Sequence, residues 1–411
     1  MVTVTTMTAT TVIAPPEPEL TPDELLHRAQ ALVPVLRERQ RATEAAGRIL
    51  DETQAELMEA GLYRALQPRR FGGYEFTLRD FVRVMTEISR GCPSTGWALT
   101  LTAGHPHLLS HWSEQTQAEI YGSDGDARVP GRPVQAGVAV PADGGYIVSG
   151  TWDYGSNCDH STHFMGSAIV PDTGPPPRLV WLLVDRADYE IVDNWDVIGL
   201  RGTGSKRVVC EGVFVPEHRA ITAIGTSAER PPGWRSHANP LYAGGLFSFL
   251  FFEFGAIAVG TARGAIDVYE EILQTKPIDV PPFVLRGHTE EYRHHLGEAI
   301  GRVDVAEAAL MEGMDRYLAQ ATRAYDADEP VDENGEETRR LLVLQQQSVR
   351  MACEAVDLLF RTGGTSSART GHPLGNAMVA LQIMRTHMGL QWDRTFPNLG
   401  SLRLGGEAGF V

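Results

Sequence analysis

Between about Val129 and Pro216 the chain changes its pattern, and this stretch limits the folds open to everything around it. Short apolar runs, VQAGVAV, GYIVSGTW, HFMGSAIV, LVWLLV, YEIV and RVVCEGVFV, follow one another with Gly, Pro and Asp between them. That spacing predicts strands of an antiparallel barrel or sandwich. On either side the period is helical. From Thr21 to Gly61 the residues Leu25, Leu26, Ala29, Leu32, Val33 and Leu36 recur at three and four, which predicts two helices with Gly61 as a stop. Further helical stretches run from Leu78 to Arg90 and from Ser94 to about Ala103. After Leu241 the helical period returns in four segments, roughly 243–275, 287–325, 336–362 and 375–391. The expected organisation is α+β: a flexible tail (1–20), an N-terminal helical domain (21–127), a central β-domain (128–222) and a C-terminal helical bundle (223–411).

Composition removes several classes of function. With 411 residues and 43% hydrophobic content, the chain can bury two cores or one large one, which excludes disorder. Thirty-six basic against 52 acidic residues give a formal charge of −16, and no long basic run stands ready for a phosphate backbone, so nucleic acid is not an expected partner. Cys92, Cys158, Cys210 and Cys353 are far apart, which suits a reducing cytoplasm better than a disulfide framework or a zinc ribbon. The N-terminus, MVTVTTMTATTVIAPPEPEL, lacks the basic and apolar regions of a secretory signal. Tyr242–Gly260 is the most apolar stretch, but Glu253 would sit near a bilayer centre at a cost of about 2.5–3.5 kcal/mol. A buried bundle helix is therefore expected there, not a membrane span. The acidic segment Asp326–Glu337 reads as a solvated linker.

Local motifs taken singly are weak. Gly202-Thr-Gly-Ser-Lys206 lacks the spacing of a Walker phosphate loop, and no GxGxxG follows an early strand, so the chain carries no nicotinamide-binding fold of its own. His160 and His163, with Asp159 between them, have metal-ligand spacing. Three residues apart on a strand they would face opposite ways, so no metal is expected. His105, His107 and His111 follow a helix, and each alone is more readily structural than catalytic. Arg361-Thr-Gly-Gly-Thr-Ser-Ser367 ends a helix in a Gly-rich turn that fits a phosphate cradle and a helix C-cap equally well.

Together, several segments resemble the acyl-CoA dehydrogenase fold: the early PRRFGGYE turn, the central β-domain, Ile198-Gly-Leu-Arg-Gly-Thr-Gly-Ser205 followed by Gly212-Val-Phe-Val-Pro216, and the closing bundle. The resemblance covers nearly the whole chain and implies an N-terminal α-helical domain, a central antiparallel barrel or sandwich and a C-terminal four-helix bundle. In detail the chain is similar to the oxygenase components of two-component flavin-dependent monooxygenases, such as 4-hydroxyphenylacetate 3-hydroxylase and actinomycete polyketide hydroxylases. That likeness is carried by Ser94-Thr-Gly-Trp97, Gly150–His160, Leu359-Phe-Arg-Thr-Gly-Gly364, His372-Pro373 and His387.

The resemblance implies reduced FMN (or FAD) delivered by a separate NAD(P)H:flavin reductase, O2 as co-substrate, and a C4a-hydroperoxyflavin that hydroxylates a small phenolic or polyketide-derived aromatic. Ser156 would hydrogen-bond the flavin N5 region. Tyr154, two residues earlier on the same strand face, would wall the ring, and Trp97 would pack over ring or substrate; core packing is the plain alternative for both. His105 would face the substrate hydroxyl, with His107 as alternate. His387, on a helix over Asn376–Leu390, would lie near the flavin. Gly363 and Gly364 would approach a flavin phosphate across a subunit interface, which implies a homotetramer or at least a dimer. Arg263 could add a cation there, although an exposed helix arginine is the plainer reading. The departures are Asn157 after Ser156, His163, and the loop Val129-Pro-Gly-Arg-Pro133, and they keep an N- or S-oxygenating relative open. An acyl-CoA dehydrogenase-like FAD desaturase is the first alternative, with Glu253 as its base, because the usual base-bearing segment is replaced by His372-Pro-Leu-Gly375. A flavin carrier that has lost catalysis is the non-enzymatic alternative.

Overall fold

Thr21 opens the first helix: its hydroxyl accepts the Glu24 N–H at 3.2 Å, with Pro22 at the first helical position. The computed structural model describes residues 12–132, 134, 136–223 and 230–409. Helices α1 (Pro22–Ala46) and α2 (Asp51–Glu59) are followed by α3 (Leu78–Gly91), capped by Thr77, and α4 (Pro93–Gly104), started by Pro93 after an extended Cys92. Short helices α5 (Pro106–Leu109) and α6 (Glu114–Tyr121) complete the N-terminal layer. Residues 1–11 of the expected loose tail lie outside the described residues. The next stretch is tied down: the Ile13 N–H donates to the Arg70 carbonyl at 2.9 Å, and Glu17 pairs with Arg28 at 2.7 Å.

The β-region holds seven strands: β1 (Gly137–Ala142), β2 (Gly145–Gly155), β3 (His163–Val170), β4 (Arg178–Asp185), β5 (Glu190–Val192), β6 (Lys206–Pro216) and β7 (Ala220–Thr222). They form one sheet in the order β5-β6-β2-β1-β3-β4-β7. Most pairs are antiparallel as expected, but β1 and β3 run parallel through Gly137↔Ala168 and Val138↔Ile169. The end strands β5 and β7 are not paired to each other, so the sheet is mixed and open. Its two faces serve different cores. Along β4, Val180, Leu182 and Val184 turn inward onto Trp152 and Phe164, while Trp181 and Leu183 join the helical core. Burial on both faces explains the unbroken apolar run LVWLLV in place of an alternating one.

Helices α7 (Leu246–Thr275), α8 (Glu290–Ala327), α9 (Glu336–Thr362) and α10 (Pro373–Met384) form the bundle, and α11 (Trp392–Arg403), which the periodicity did not separate, closes it. The apolar α7 is the core helix: 78% of its most apolar stretch is buried in the protein. It lies hard against α3. A Cβ on Gly260 would come within 2.2 Å of the Thr86 carbonyl, and one on Gly264 within 2.4 Å of the Arg90 carbonyl. Only the bare glycines permit this crossing, and it sets α4 beside the α7 residues that matter below.

One boundary differs from expectation. His387 is not inside a helix running to Leu390, because α10 stops at Met384 and Thr386 Oγ1 donates back to the Ile383 carbonyl at 2.8 Å. His387 then has extended backbone (φ −65°, ψ 136°) and caps a short turn at Met388–Leu390.

Candidate functional site

Three layers meet where α4, the end of β2 and the segment after α10 converge on α7. The α4 helix presents Trp97, whose indole Nε1–H donates to Ser156 Oγ at 3.1 Å. Its ring stacks on Phe254 of α7 (centroids 5.5 Å) and meets His387 edge-on at 5.9 Å. Phe254 and His387 are 4.8 Å apart. Trp97, Ser156 and His387 are thus brought together from three distant parts of the sequence, and Phe254 is a fourth wall that sequence patterning absorbed into an apolar helix.

Ser156 is held by the turn after β2. Asn157 takes a left-handed conformation (φ 64°) that suits Asn or Gly, and its amide donates to Tyr63 Oη at 3.0 Å and Thr102 Oγ1 at 3.2 Å. Asn157 therefore both allows the turn and ties it to the helical domain. Tyr154 departs from expectation. Its own φ is 68° and the β2–β6 register shifts between Trp152 and Gly155, so Tyr154 and Ser156 share no strand face. The Tyr154 ring is 55% exposed, lies under the Arg132 guanidinium at 5.1 Å and meets Trp195 edge-on at 6.0 Å.

The two candidate histidines are neutral and carry opposite tautomers. His105 Nδ1 lies 2.5 Å from the Val129 carbonyl. A carbonyl only accepts, so Nδ1 carries the hydrogen and Nε2 keeps a lone pair. His387 Nδ1 accepts the Gly389 N–H at 3.1 Å, which leaves its hydrogen on Nε2. Burial pushes both imidazoles down to about 4, with Arg132 adding to the effect at His387 and the Val129 bond partly opposing it at His105. His105 faces the loop before β1: a Cβ on Gly131 would lie 3.4 Å from its Cε1. His107, the alternate, is a core residue stacked on Phe249 at 4.0 Å, with Nε2 against Tyr317 Oη at 2.9 Å.

Arg132 is a group that the sequence did not single out. It has no carboxylate within 4 Å among the described residues, and its neighbour Asp153 is already taken by Arg207 and Asn194, each at 2.8 Å. Glu253 has both oxygens buried without a hydrogen-bond partner, with Oε1 against Gly104, and burial raises its carboxyl well above the usual range. Wholly buried against Gly104, this carboxyl is not presented to a substrate as a dehydrogenase base would be. The Asp159, His160 and His163 side chains diverge, taking Lys206, the Ile49 carbonyl and Asp185 respectively.

Gly363 and Gly364 are not part of this cluster. They follow α9, where Tyr269 of α7 donates to Thr362 Oγ1 at 2.9 Å. From Phe254 to Tyr269 the helix advances about 22 Å at 1.5 Å per residue. Gly364 (φ 90°) lines a separate cleft of about 740 Å³ with Lys276, Arg286, Arg361, Ser366 and Arg369. Arg263 does not reach it, being engaged by Glu87 and Glu307.

Two helical layers around a central sheet, with a cluster of rings at their junction, define an acyl-CoA dehydrogenase-fold protein. Residues 28–122 match the acyl-CoA dehydrogenase N-terminal domain and residues 252–392 the C-terminal domain. The chain is 31% identical over 388 residues to the flavin-dependent monooxygenase oxygenase subunit HsaA of Rhodococcus jostii (strain RHA1), covering 92% of this chain and 98% of that one. It is 29% identical over 405 residues to the FADH(2)-dependent resorcinol hydroxylase oxygenase component of Rhizobium sp. (strain MTP-10005), covering 93% and 94%. The crystal structure of 3-HSA hydroxylase from Rhodococcus sp. RHA1 superposes with a TM-score of 0.85 at 32% identity, covering 94% of this chain and 98% of that one. The chain belongs to the oxygenase components of the flavin-dependent monooxygenases, the family its motifs resemble.

Proposed function

We propose that this oxygenase component takes reduced FMN or FAD from a separate NAD(P)H:flavin reductase and, with O2, hydroxylates a phenolic or polyketide-derived aromatic. One observation carries the reading: a neutral His387 lies against the Trp97 and Phe254 rings, with Ser156 held by the Trp97 indole at their edge. Bound reduced flavin supplies the electrons that activate O2. The protein's residues supply the rest. Trp97 and Phe254 exclude water and give a flat surface to a ring. His105 Nε2, with its lone pair, accepts the proton of a substrate hydroxyl. His387 has its Nε2–H to donate to an oxygen-bearing group. Ser156 holds the flavin ring at N5. Arg132, half-buried and lacking a carboxylate partner among the described residues, suits the negative charge that a phenol gains as its proton leaves.

About 22 Å of α7 separate Phe254, beside Trp97, from Tyr269, beside the Gly363 and Gly364 turn. The cationic cleft at Gly364 suits the phosphate of a flavin whose ring lies in a neighbouring copy, which supports a homotetramer or dimer. The four buried free cysteines suit the cytoplasm. The test is anaerobic addition of reduced FMN or FAD to the purified protein, then oxygenated buffer with a panel of phenols, while the flavin spectrum and products are followed. A hydroxylated phenol bearing an oxygen atom from labelled O2 is expected. Absence of both flavin binding and product would overturn the proposal.

A further inference from the structure

Beside the Trp97 ring, three hydroxyls and one indole form a chain whose hydrogens can each be placed. Thr203 Oγ1 lies 2.8 Å from the Leu200 carbonyl oxygen. The carbonyl has no hydrogen to give, so the single hydroxyl proton of Thr203 is committed there; the same oxygen also accepts from the Trp195 Nε1–H at 3.0 Å and the Thr203 backbone N–H at 3.3 Å. Ser205 Oγ is 2.6 Å from Thr203 Oγ1. That contact needs a proton, and only Ser205 has one left. Ser156 Oγ is in turn 2.7 Å from Ser205 Oγ, so Ser156 gives up its own hydrogen to the chain. Trp97 Nε1, a donor only, points at Ser156 from the other side. Thr203 is 1% exposed, Ser205 4% and Ser156 8%, so water offers the two inner hydroxyls little alternative.

Ser156 is therefore left with one free lone pair and no free hydrogen. Flavin N5 bears a hydrogen when the ring is reduced and a lone pair when it is oxidised. An acceptor pairs with the first and is left lone pair against lone pair with the second. We infer that Ser205 and Thr203 are positioning residues that fix Ser156 as an acceptor, so that the protein selects reduced over oxidised flavin at this one atom. The inference rests on the proposed contact between Ser156 and flavin N5. It assigns a use to the Gly202-Thr-Gly-Ser segment, which its spacing excludes as a Walker phosphate loop.

The experiment is the ratio of the dissociation constants of oxidised and reduced FMN, the latter measured anaerobically, in the wild type and in Ser205→Ala, Thr203→Val and Thr203→Ser. In the wild type the reduced form binds more tightly. Ser205→Ala removes the acceptor, and Ser156 recovers a hydrogen to offer an oxidised N5. Thr203→Val lets Ser205 turn its proton back toward Ser156, with the same result. Both variants are expected to lower the preference for reduced flavin about tenfold. For a two-electron couple this is a fall of about 30 mV in the bound-flavin midpoint potential. Thr203→Ser keeps the chain and keeps the ratio. A purely structural tie would weaken both flavin states alike and leave the ratio and potential unchanged, which overturns the inference. A wild type that binds both states equally also overturns it, whereas a wild type that binds neither overturns the monooxygenase reading itself. If Ser205→Ala fails to fold, Thr203→Val against Thr203→Ser decides.

Discussion

The two ends of α7 carry two candidate flavin contacts made of opposite materials. Near Phe254 the surroundings are aromatic rings, neutral imidazoles and hydroxyls with assigned hydrogens. Beyond Tyr269 lies a cleft with four cations, Lys276, Arg286, Arg361 and Arg369, against Asp279 and Glu291. The first recognises by direction, since a hydrogen bond in a dry site fails when donor faces donor. The second recognises by charge, which tolerates imprecise geometry and weakens with salt. A flavin needs both, because its ring must be oriented for chemistry while its phosphate needs only to be held.

Experiments can break this contrast. Ser156→Ala should cause the largest change: hydroxylated product per O2 consumed falls at least tenfold with the circular dichroism spectrum unchanged, and an unchanged product yield removes Ser156 from the mechanism. Lys276→Gln should weaken flavin binding about tenfold at low salt and reduce the salt dependence of affinity, whereas variants of the ring cleft should leave that dependence alone. Equal salt slopes in both sets would end the distinction.

The neutral histidines give a prediction with a definite sign. Their folded values, about 4, lie below the unfolded value of 6.5. Between these limits the unfolded chain binds more protons, so stability is lost as pH falls from about 6.5 toward 4. His387→Gln should remove up to about 1.4 kcal/mol per pH unit of that slope, measurable by urea unfolding at pH 7 and pH 5. An unchanged slope means that His387 is solvated and protonates freely. Tyr154→Phe should do least: flavin affinity stays within about twofold, because a half-exposed ring under Arg132 contributes at most a weak cation–π contact. A large loss would restore Tyr154 to the ring wall.

Much of this could be read along the chain. The change of period near Val129 separated sheet from helices, and Glu253 marked α7 as a core helix. What failed, failed locally. The apolar period of α10 continues through the flanks of His387 and predicts a helix there, whereas the backbone turns at Arg385. Strand alternation puts Tyr154 and Ser156 on one face, and a register shift with a positive φ at Tyr154 cancels that rule. Phe254 was hidden by its own helix, since an apolar residue among apolar residues carries no mark of facing a cleft. Arg132 looked like any loop arginine until Asp153 proved to be engaged elsewhere.

The sequence by itself determined the element types, their order and the family, because period, glycine placement and motif spacing are properties of neighbouring residues. Only the tertiary structure decided which histidine meets the Trp97 and Phe254 rings, which nitrogen of each ring holds the hydrogen, and what the Ser156 hydroxyl pairs with. Those outcomes depend on carbonyls and hydroxyls brought in from distant segments, such as Val129 for His105 and Thr203 for Ser156. A proton's position is set by its partner, and in this chain the partners are neighbours in space that lie far apart in sequence.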